Sequence, residues 1–214
     1  MEETVEILKT DFVTHNVRRF VLEKPSRIDF VPGQATEMSI NKSGWKDKKR
    51  PFTFTSLPED EVLEFTIKGY YDHDGVTNQL HQLKVGDELI LRDPFGTINY
   101  QGTGVFIAGG AGVTPFIAIL RSLYRQDNLK GNKLIFSNKT SKDVILEQEF
   151  RGIFNPQDLI LTLTQEMNPC FKHGRVDKKF LEKEIDNFNQ NFYVCGPPAM
   201  VKDLKEILGD LGAS

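Results

Sequence analysis

The chain has 214 residues, of which 39% are hydrophobic and 27% charged, a composition typical of soluble globular proteins. Lys and Arg total 27 against 30 acidic residues, so the formal charge of −3 provides no overall basic field for nucleic acid. Only two cysteines, Cys170 and Cys195, are present, which excludes a thiolate-bound cluster and argues against a secreted disulfide scaffold. No stretch approaches the roughly 20 apolar residues of a membrane span. We therefore expect a cytoplasmic protein with no membrane span.

The first half of the chain is predicted to form an antiparallel β-barrel, because short apolar segments alternate with turn residues at close intervals. One short helix, Thr77–Gln82, interrupts this pattern. The predicted strands are Val17–Leu22, Ala35–Ile40, Phe52–Thr55, Val62–Lys68 and Glu88–Leu91.

The second half changes to alternating strands and helices, which predicts an α/β domain with a parallel sheet and helices on both faces. A boundary at residues 100–104 gives two domains, 1–100 and 104–214. The predicted strands are Val105–Ala108, Lys133–Ser137, Leu159–Thr164 and Phe192–Cys195. The predicted helices are Pro115–Gln126, Leu146–Phe154, Lys178–Ile185 and Pro198–Leu208.

Three segments carry candidate chemistry. After the apolar strand Val105–Ala108, the run from Gly109 to Ala118 opens a helix with glycines, which lets backbone N–H groups approach a phosphate. Alone, such a run is also consistent with a simple tight turn. The spacing differs from the Gly-x-Gly-x-x-Gly of ordinary dinucleotide folds.

The second segment is Arg50–Ser56, in which an arginine precedes alternating aromatic and hydroxyl residues. A guanidinium suits a phosphate bidentately, although Arg50 could equally be a solvated loop cation. The third is Cys195-Gly196-Pro197-Pro198, another strand end turning into a helix. In isolation, Cys195 is equally consistent with a small buried apolar residue. The four histidines show no metal-ligand spacing, so we expect them at the surface and expect no metal site.

Together, and in this order, the three segments resemble the Arg-x-Tyr-Ser/Thr, Gly-Gly-x-Gly-x-Thr-Pro and Cys-Gly-Pro-Pro motifs of the ferredoxin-NADP reductase superfamily. The resemblance extends from about Val13 to Gly209. It implies a flavin-binding barrel followed by an NAD(P)-binding domain, with FAD rather than FMN, and NADPH or NADH as the hydride donor. The chemistry would belong to these cofactors.

The resemblance also assigns roles to residues. Arg50 would bind the flavin phosphate, Phe52 would pack on the flavin ring, and Thr53 would hydrogen-bond near flavin N5, with Pro51 and Ser56 in the same site. Phe52 stands where the family usually has tyrosine, so one hydroxyl contact is lost.

The second flavin element would comprise Thr66, Ile67, Lys68, Gly75, Val76 and Thr77. Here Asp74 occupies the usual glycine position, and the alternative is an Asp-Gly turn with Thr77 as a plain helix N-cap.

For the nicotinamide nucleotide, the resemblance implies binding by Gly109, Gly110, Gly112, Thr114, Pro115, Cys195, Gly196 and Pro197. Thr53 and Cys195 would be the catalytic residues, Cys195 orienting the nicotinamide rather than acting as a nucleophile. Ser137 and Lys139 follow the second strand of the α/β domain, where the family recognises the adenosine ribose, and they favour NADPH. Ordinary loop charges are the alternative for the lysines.

We therefore expect a flavin-dependent reductase that passes a hydride from NAD(P)H to FAD and electrons to a separate flavodoxin or ferredoxin. Exposed lysines Lys46, Lys48 and Lys49 could attract such an acidic carrier. The alternatives are direct reduction of free flavin, quinone or ferric chelates, and a non-catalytic nucleotide-binding or electron-transfer subunit. Relatives commonly end in an aromatic that covers the flavin. Tyr193, the last aromatic here, cannot serve as that lid, so one flavin face is expected to be open to solvent or covered by a partner chain.

Overall fold

A computed structural model describes residues 2–96 and 98–213. Its contacts divide the chain into two compact units. The first unit comprises Met1–Asn99 and Thr114–Ser122, and the second comprises Tyr100–Val113 and Leu123–Ser214. The segment Thr114–Ser122, which follows the glycine-rich turn, therefore packs within the first unit.

The first unit is built on a six-stranded antiparallel sheet in the order β4-β3-β6-β1-β2-β5, which confirms the predicted β-barrel class. An antiparallel bridge between Phe54 and Phe65 links the two ends of this order, next to β4 and within β5. The strands are β1 (Glu2–Thr14), β2 (Val17–Glu23), β3 (Ala35–Ile40), β4 (Arg50–Thr53), β5 (Val62–Lys68) and β6 (Glu88–Arg92), with helix α1 (Val76–Leu80) between β5 and β6.

The core of the first unit forms because the strands turn alternate apolar residues inward. Phe54 lies at its centre, with its ring centroid 4.1 Å from that of Phe30 and 5.0 Å from that of Phe65. Strands β3 and β5 coincide with the predicted boundaries. Strand β1 was missed, because charged residues are spread along it and only Val5 and Ile7 are buried.

The second unit contains a five-stranded parallel sheet in the order β10-β9-β8-β7-β11, as predicted for an α/β domain. Its strands are β7 (Gly104–Gly109), β8 (Lys133–Asn138), β9 (Leu159–Leu163), β10 (Lys172–His173) and β11 (Asn191–Cys195). Helices α3 (Glu147–Ile153), α4 (Lys178–Glu184) and α5 (Pro198–Asp210) belong to this unit, whereas helix α2 (Thr114–Arg125) is divided between the two units. The two-residue strand β10 was not predicted, since it is too short to show a periodicity.

Tyr193 has a structural role that the sequence did not reveal. Tyr193 accepts a hydrogen bond from the Gln101 amide at 2.8 Å and donates to the Gly102 carbonyl at 2.7 Å. Its ring stacks on Phe106 with centroids 4.4 Å apart, so Tyr193 anchors the segment preceding β7.

His81 corrects the prediction that all four histidines lie at the surface. It is half-buried, with Nδ1 2.8 Å from the Tyr71 hydroxyl and Nε2 2.8 Å from the Ile67 carbonyl oxygen. Burial lowers the pKa of the His81 imidazole below its ordinary value. Among the helices described, none combines the length and apolarity required to cross a bilayer.

Candidate cofactor sites

The first candidate site is the strand β4, which lies at one end of the sheet order. Arg50 is exposed, and its Nη1 donates to the Lys49 carbonyl oxygen at 2.8 Å, which leaves most of the five guanidinium N–H donors of an arginine uncommitted to that contact. Pro51 is exposed, as expected for a proline confined to a sheet edge. Phe52 is half-buried against the barrel core, and Thr53 is half-buried at the end of the strand.

After this strand comes a polar network, which we call the Glu64 network and define as Thr55, Ser56, Glu64, Thr66 and Arg121. Thr55, Ser56 and Thr66 are buried, and Glu64 and Arg121 are half-buried. The Thr55 hydroxyl donates to Glu64 Oε1 at 2.9 Å and lies 3.3 Å from the Thr66 hydroxyl. The Ser56 hydroxyl accepts the Glu64 amide at 2.9 Å. Ser56 and Thr66, predicted to bind flavin, therefore have enclosed hydroxyls that are hydrogen-bonded within the first unit, and their contact with a flavin stays a prediction.

The second predicted flavin segment continues from β5 into α1. Ile67 is buried, and Lys68 is half-buried with its Nζ 6.0 Å from the centroid of the Tyr70 ring. Gly75 is the N-cap of α1, so the helix begins at Val76 and Thr77 is its second residue. The alternative that made Thr77 a plain N-cap is therefore wrong, because the chain becomes helical two residues earlier.

The third candidate site is the glycine-rich turn after β7, where the backbone is packed too closely for side chains. A Cβ built on Gly112 would lie 2.5 Å from the Cys195 carbonyl carbon and 2.6 Å from Gly196 Cα. A Cβ on Gly109 would meet Met200 Sδ, and it would lie 3.0 Å from Pro197 Cδ. Because β7 and β11 are neighbours in the sheet, their two predicted motifs meet at one edge, with Cys195 paired to Ala108.

The turn is a 3-10 helix over Gly110–Val113, and it leads directly into α2. Gly110 has a positive φ of 51° and open space around its Cα, so this position requires glycine for its conformation rather than for packing. Thr114 is the first residue of α2 and Pro115 the second, consistent with proline's tolerance at a helix start.

Cys195 is half-buried at the end of β11, and desolvation raises the pKa of its thiol above the ordinary value. The thiol is therefore neutral at physiological pH, and the proposed role of Cys195 in orienting the nicotinamide stays a prediction. Pro197 is the N-cap of α5, and the helix begins at Pro198 as predicted.

The carboxyl end of β8 forms the last candidate site. Ser137 is half-buried there and Lys139 is exposed. The sequence did not reveal two further residues. Asn138 is buried, and neither amide atom has a hydrogen-bond partner among the described residues. Glu166 accepts the Ser141 amide and hydroxyl at 2.8 and 3.0 Å, and the amide hydrogen bond holds the pKa of its carboxyl below the usual range. The burial of Asn138 and the pairing of Glu166 with Ser141 depend on contacts between residues far apart in the sequence, so no local motif predicts them.

The residues present fit the two cofactors that the motifs imply. The glycines of the turn let the carboxyl ends of β7 and β11 pack together, and the space around Gly110 is open. The buried Asn138 amide, next to the residue paired with Gly109, has unused hydrogen-bonding capacity. Arg50 is an exposed cation at an open strand, suited to a phosphate. A bound flavin would accept a hydride from a reduced nicotinamide and pass its electrons on singly. The arrangement thus defines an oxidoreductase of the flavin and nicotinamide class.

Sequence comparisons agree with this class. The family described as the oxidoreductase FAD-binding domain matches residues 4–100, and the oxidoreductase NAD-binding domain matches residues 106–206. NADH-cytochrome b5 reductase 1 of Kluyveromyces lactis is 30% identical over 230 aligned positions, covering 99% of this chain and 80% of the relative. A flavohemoprotein of Bacillus cereus is 28% identical, covering 86% of this chain but only 50% of the relative.

Solved structures show the same fold. The FAD- and NAD-binding domain of a nitric oxide dioxygenase from Vibrio cholerae has a TM-score of 0.86 at 23% identity, covering 99% of this chain and 94% of the other. A ferredoxin NADP+ reductase from Neisseria gonorrhoeae, with bound FAD and NADP, also has a TM-score of 0.86 at 20% identity, covering 99% and 92%. The chain belongs to the ferredoxin reductase-like family of flavoproteins, and it is an NAD(P)H-dependent flavoprotein oxidoreductase.

Proposed function

We propose that this protein transfers reducing equivalents from a nicotinamide nucleotide, through FAD, to a separate acidic one-electron carrier protein of the flavodoxin or ferredoxin kind. The observation that supports the acceptor class is a cluster of exposed lysines immediately before the predicted flavin strand: Lys46, Lys48 and Lys49. Positive charge at such a position attracts an acidic carrier and raises its rate of association.

The lysine loop is held in place by contacts of its own. Lys48 Nζ lies 3.9 Å from the centroid of the Trp45 ring, a cation–π distance, and Trp45 packs against the barrel core. Arg92 Nη2 donates to the Lys46 carbonyl oxygen at 3.5 Å. These contacts support a loop that presents its charges from a fixed position.

The proposed roles of the site residues follow from their chemistry. Arg50 binds the flavin phosphate with its exposed guanidinium, and Thr53 donates a hydrogen bond near the flavin N5 position. The Gly109–Gly112 turn accepts the nucleotide pyrophosphate against its backbone N–H groups. Cys195 orients the nicotinamide through contact, since its neutral thiol is a compact and weakly polar surface. We propose the domain limits 1–100 and 104–214 for the two cofactor-binding domains.

For the hydride donor, we propose that NADH is used more efficiently than NADPH. The sequence favoured NADPH because no acidic residue stands at Ser137 or Asn138, and Lys139 adds positive charge. The charged Glu166 carboxylate, hydrogen-bonded to Ser141, now places negative charge at the same end of β8. Negative charge there opposes a 2′-phosphate and supports NADH.

A matched pair of charge-reversal variants tests the acceptor. The triple variant K46E/K48E/K49E should raise the KM for an acidic carrier about tenfold at low ionic strength, the lower end of the range for electrostatic steering, and added salt should shrink the difference. The control K178E/K179E/K183E makes the same charge change on α4. Ferredoxin, flavodoxin and cytochrome b5 should be compared as acceptors, with reduction of the bound flavin by NADH monitored separately.

Equal carrier kinetics in the two triple variants would contradict docking at the lysine loop. Rapid turnover with free flavin, quinone or ferric chelate, and none with any carrier protein, would show that the acceptor is a small molecule instead.

Both cysteines are free, as expected in a reducing compartment, which supports the proposed cytoplasmic location.

A further inference from the structure

The Glu64 network reaches beyond the strands of the barrel to helix α2. Arg121 Nη1 donates to the Thr55 carbonyl oxygen at 2.6 Å and to Glu64 Oε1 at 2.7 Å. Only 21% of the Arg121 side chain and 14% of the Glu64 side chain are exposed. A charge pair so enclosed is held in a defined geometry, because either charge would be costly to leave unpaired.

Glu64, the acceptor in this network, is also held by contacts with the strands around it. Arg19 Nη1 lies 3.9 Å from Glu64 Oε2, and Nε and Nη2 of the same arginine donate hydrogen bonds to the Asp11 carboxylate. The Thr55 amide donates to the Glu64 carbonyl oxygen at 2.8 Å. Glu64 is therefore fixed by its backbone and side chain together, so that Arg121 binds to a rigid acceptor.

Arg121 lies on the helix that follows the glycine-rich turn, so its contacts link that helix to the strands of the first unit. Arg121 lies two turns after Thr114, the first residue of α2, and the segment between them is part of the first unit. Thr55 is the last residue of the predicted flavin strand and lies two residues after β4 ends, and Glu64 lies two residues before Thr66. One side chain thus joins the helix that begins with Thr114, a predicted nucleotide-binding residue, to Thr55 in the first predicted flavin segment and to Glu64, just before the second.

We propose that Arg121 is a positioning residue for hydride transfer, which it serves by holding α2, and with it Thr114 two turns earlier, to Thr55 and to Glu64 of β5. The proposal rests on the proposed function. A hydride passes from nicotinamide C4 to flavin N5 as one proton with two electrons, which leaves the nicotinamide oxidised and the flavin reduced. A misplacement of about 1 Å costs on the order of a hundredfold in such a step.

The test compares R121M with R121K and with the control R151M. Arg151 pairs with Glu147 at 2.8 Å on the exposed side of α3, so R151M removes a similar ion pair outside the network. In R121M, the rate of flavin reduction at saturating NADH should fall at least about tenfold, within the range for a small misplacement, while the nucleotide Kd changes little. R121K should recover part of the rate, and R151M should match the wild type.

A second readout needs no flavin. Hydrogen exchange of the flavin-free protein should speed up in residues 114–122 of R121M, with the strands β1 to β3 unchanged. Reduction of the bound flavin at the wild-type rate in R121M overturns the proposal. If R121M cannot be loaded with flavin, R121K decides, and an unchanged rate there overturns the proposal equally. Failure of NADH and NADPH to reduce the wild-type protein would refute the proposed function instead.

Discussion

The two candidate cofactor regions are built by different physical means. At the carboxyl edge of the parallel sheet, close backbone packing shapes the candidate site, because Gly112 lies against Cys195 and Gly196 without room for a Cβ. At β4, side chains form the site, with Arg50 exposed and the Glu64 network behind it. The difference implies that a larger side chain should abolish nucleotide binding at the first site, whereas removal of a hydrogen-bonding side chain should weaken flavin binding at the second.

The largest effect should come from G112A. Its methyl group would collide with backbone atoms that belong to a neighbouring strand, and overpacking of this kind costs about 1 to 3 kcal/mol or more. We expect a lower unfolding temperature and loss of nucleotide binding, measured by thermal unfolding and by titration with NADH. G209A is the matched control, since a Cβ on Gly209 in α5 meets nothing within 4 Å. A G112A protein with normal stability and normal affinity for NADH would contradict the claim that close backbone packing at Gly112 shapes the nucleotide site.

Removing a guanidinium at the side-chain site should instead leave the fold intact. R50A is expected to weaken flavin binding by about 1.5 to 3 kcal/mol, the cost of a charge-assisted hydrogen bond. Flavin content after gel filtration and calorimetric titration of the flavin-free protein measure this loss. R27A, at an exposed arginine in the loop between β2 and β3, is the control and should retain its flavin. Equal retention in both variants would count against Arg50 as the phosphate ligand.

A smaller and more selective effect is expected at Thr53. T53V keeps the shape of the side chain and removes one hydroxyl, worth about 0.5 to 1.5 kcal/mol, or roughly two- to tenfold in rate. Flavin should remain bound, and its reduction by NADH in rapid-mixing experiments should slow. T103V changes an exposed threonine before β7 and serves as the control. If T53V is reduced as fast as T103V, Thr53 has no role at N5.

The smallest effect concerns the Cys195 thiol. Because burial raises its pKa, the reactive thiolate is scarce at neutral pH and becomes common only as the pH rises above the ordinary thiol range. Alkylation by iodoacetamide, followed by mass spectrometry, should modify the exposed Cys170 first and Cys195 slowly, with the Cys195 rate increasing with pH. Faster modification of Cys195 at neutral pH would show an activated thiolate and contradict its assignment as an orienting residue.

Local sequence patterns predicted much of this architecture. The alternation in β3 and β5 and the glycines after β7 marked their elements, because side-chain period and backbone freedom are local properties. The pairings of Arg121 with Glu64 and of Ser141 with Glu166 join residues 57 and 25 positions apart, and no periodicity encodes them. Strand β1 was missed since its charged residues suit the exposed side of a strand as well as a loop.

Anaerobic mixing of the FAD-loaded protein with NADH tests the central claim most directly. The account predicts stoichiometric bleaching of the oxidised flavin, followed by reoxidation when a one-electron carrier is added. A protein that binds neither FAD nor nicotinamide nucleotide, or that binds both without bleaching, would contradict it.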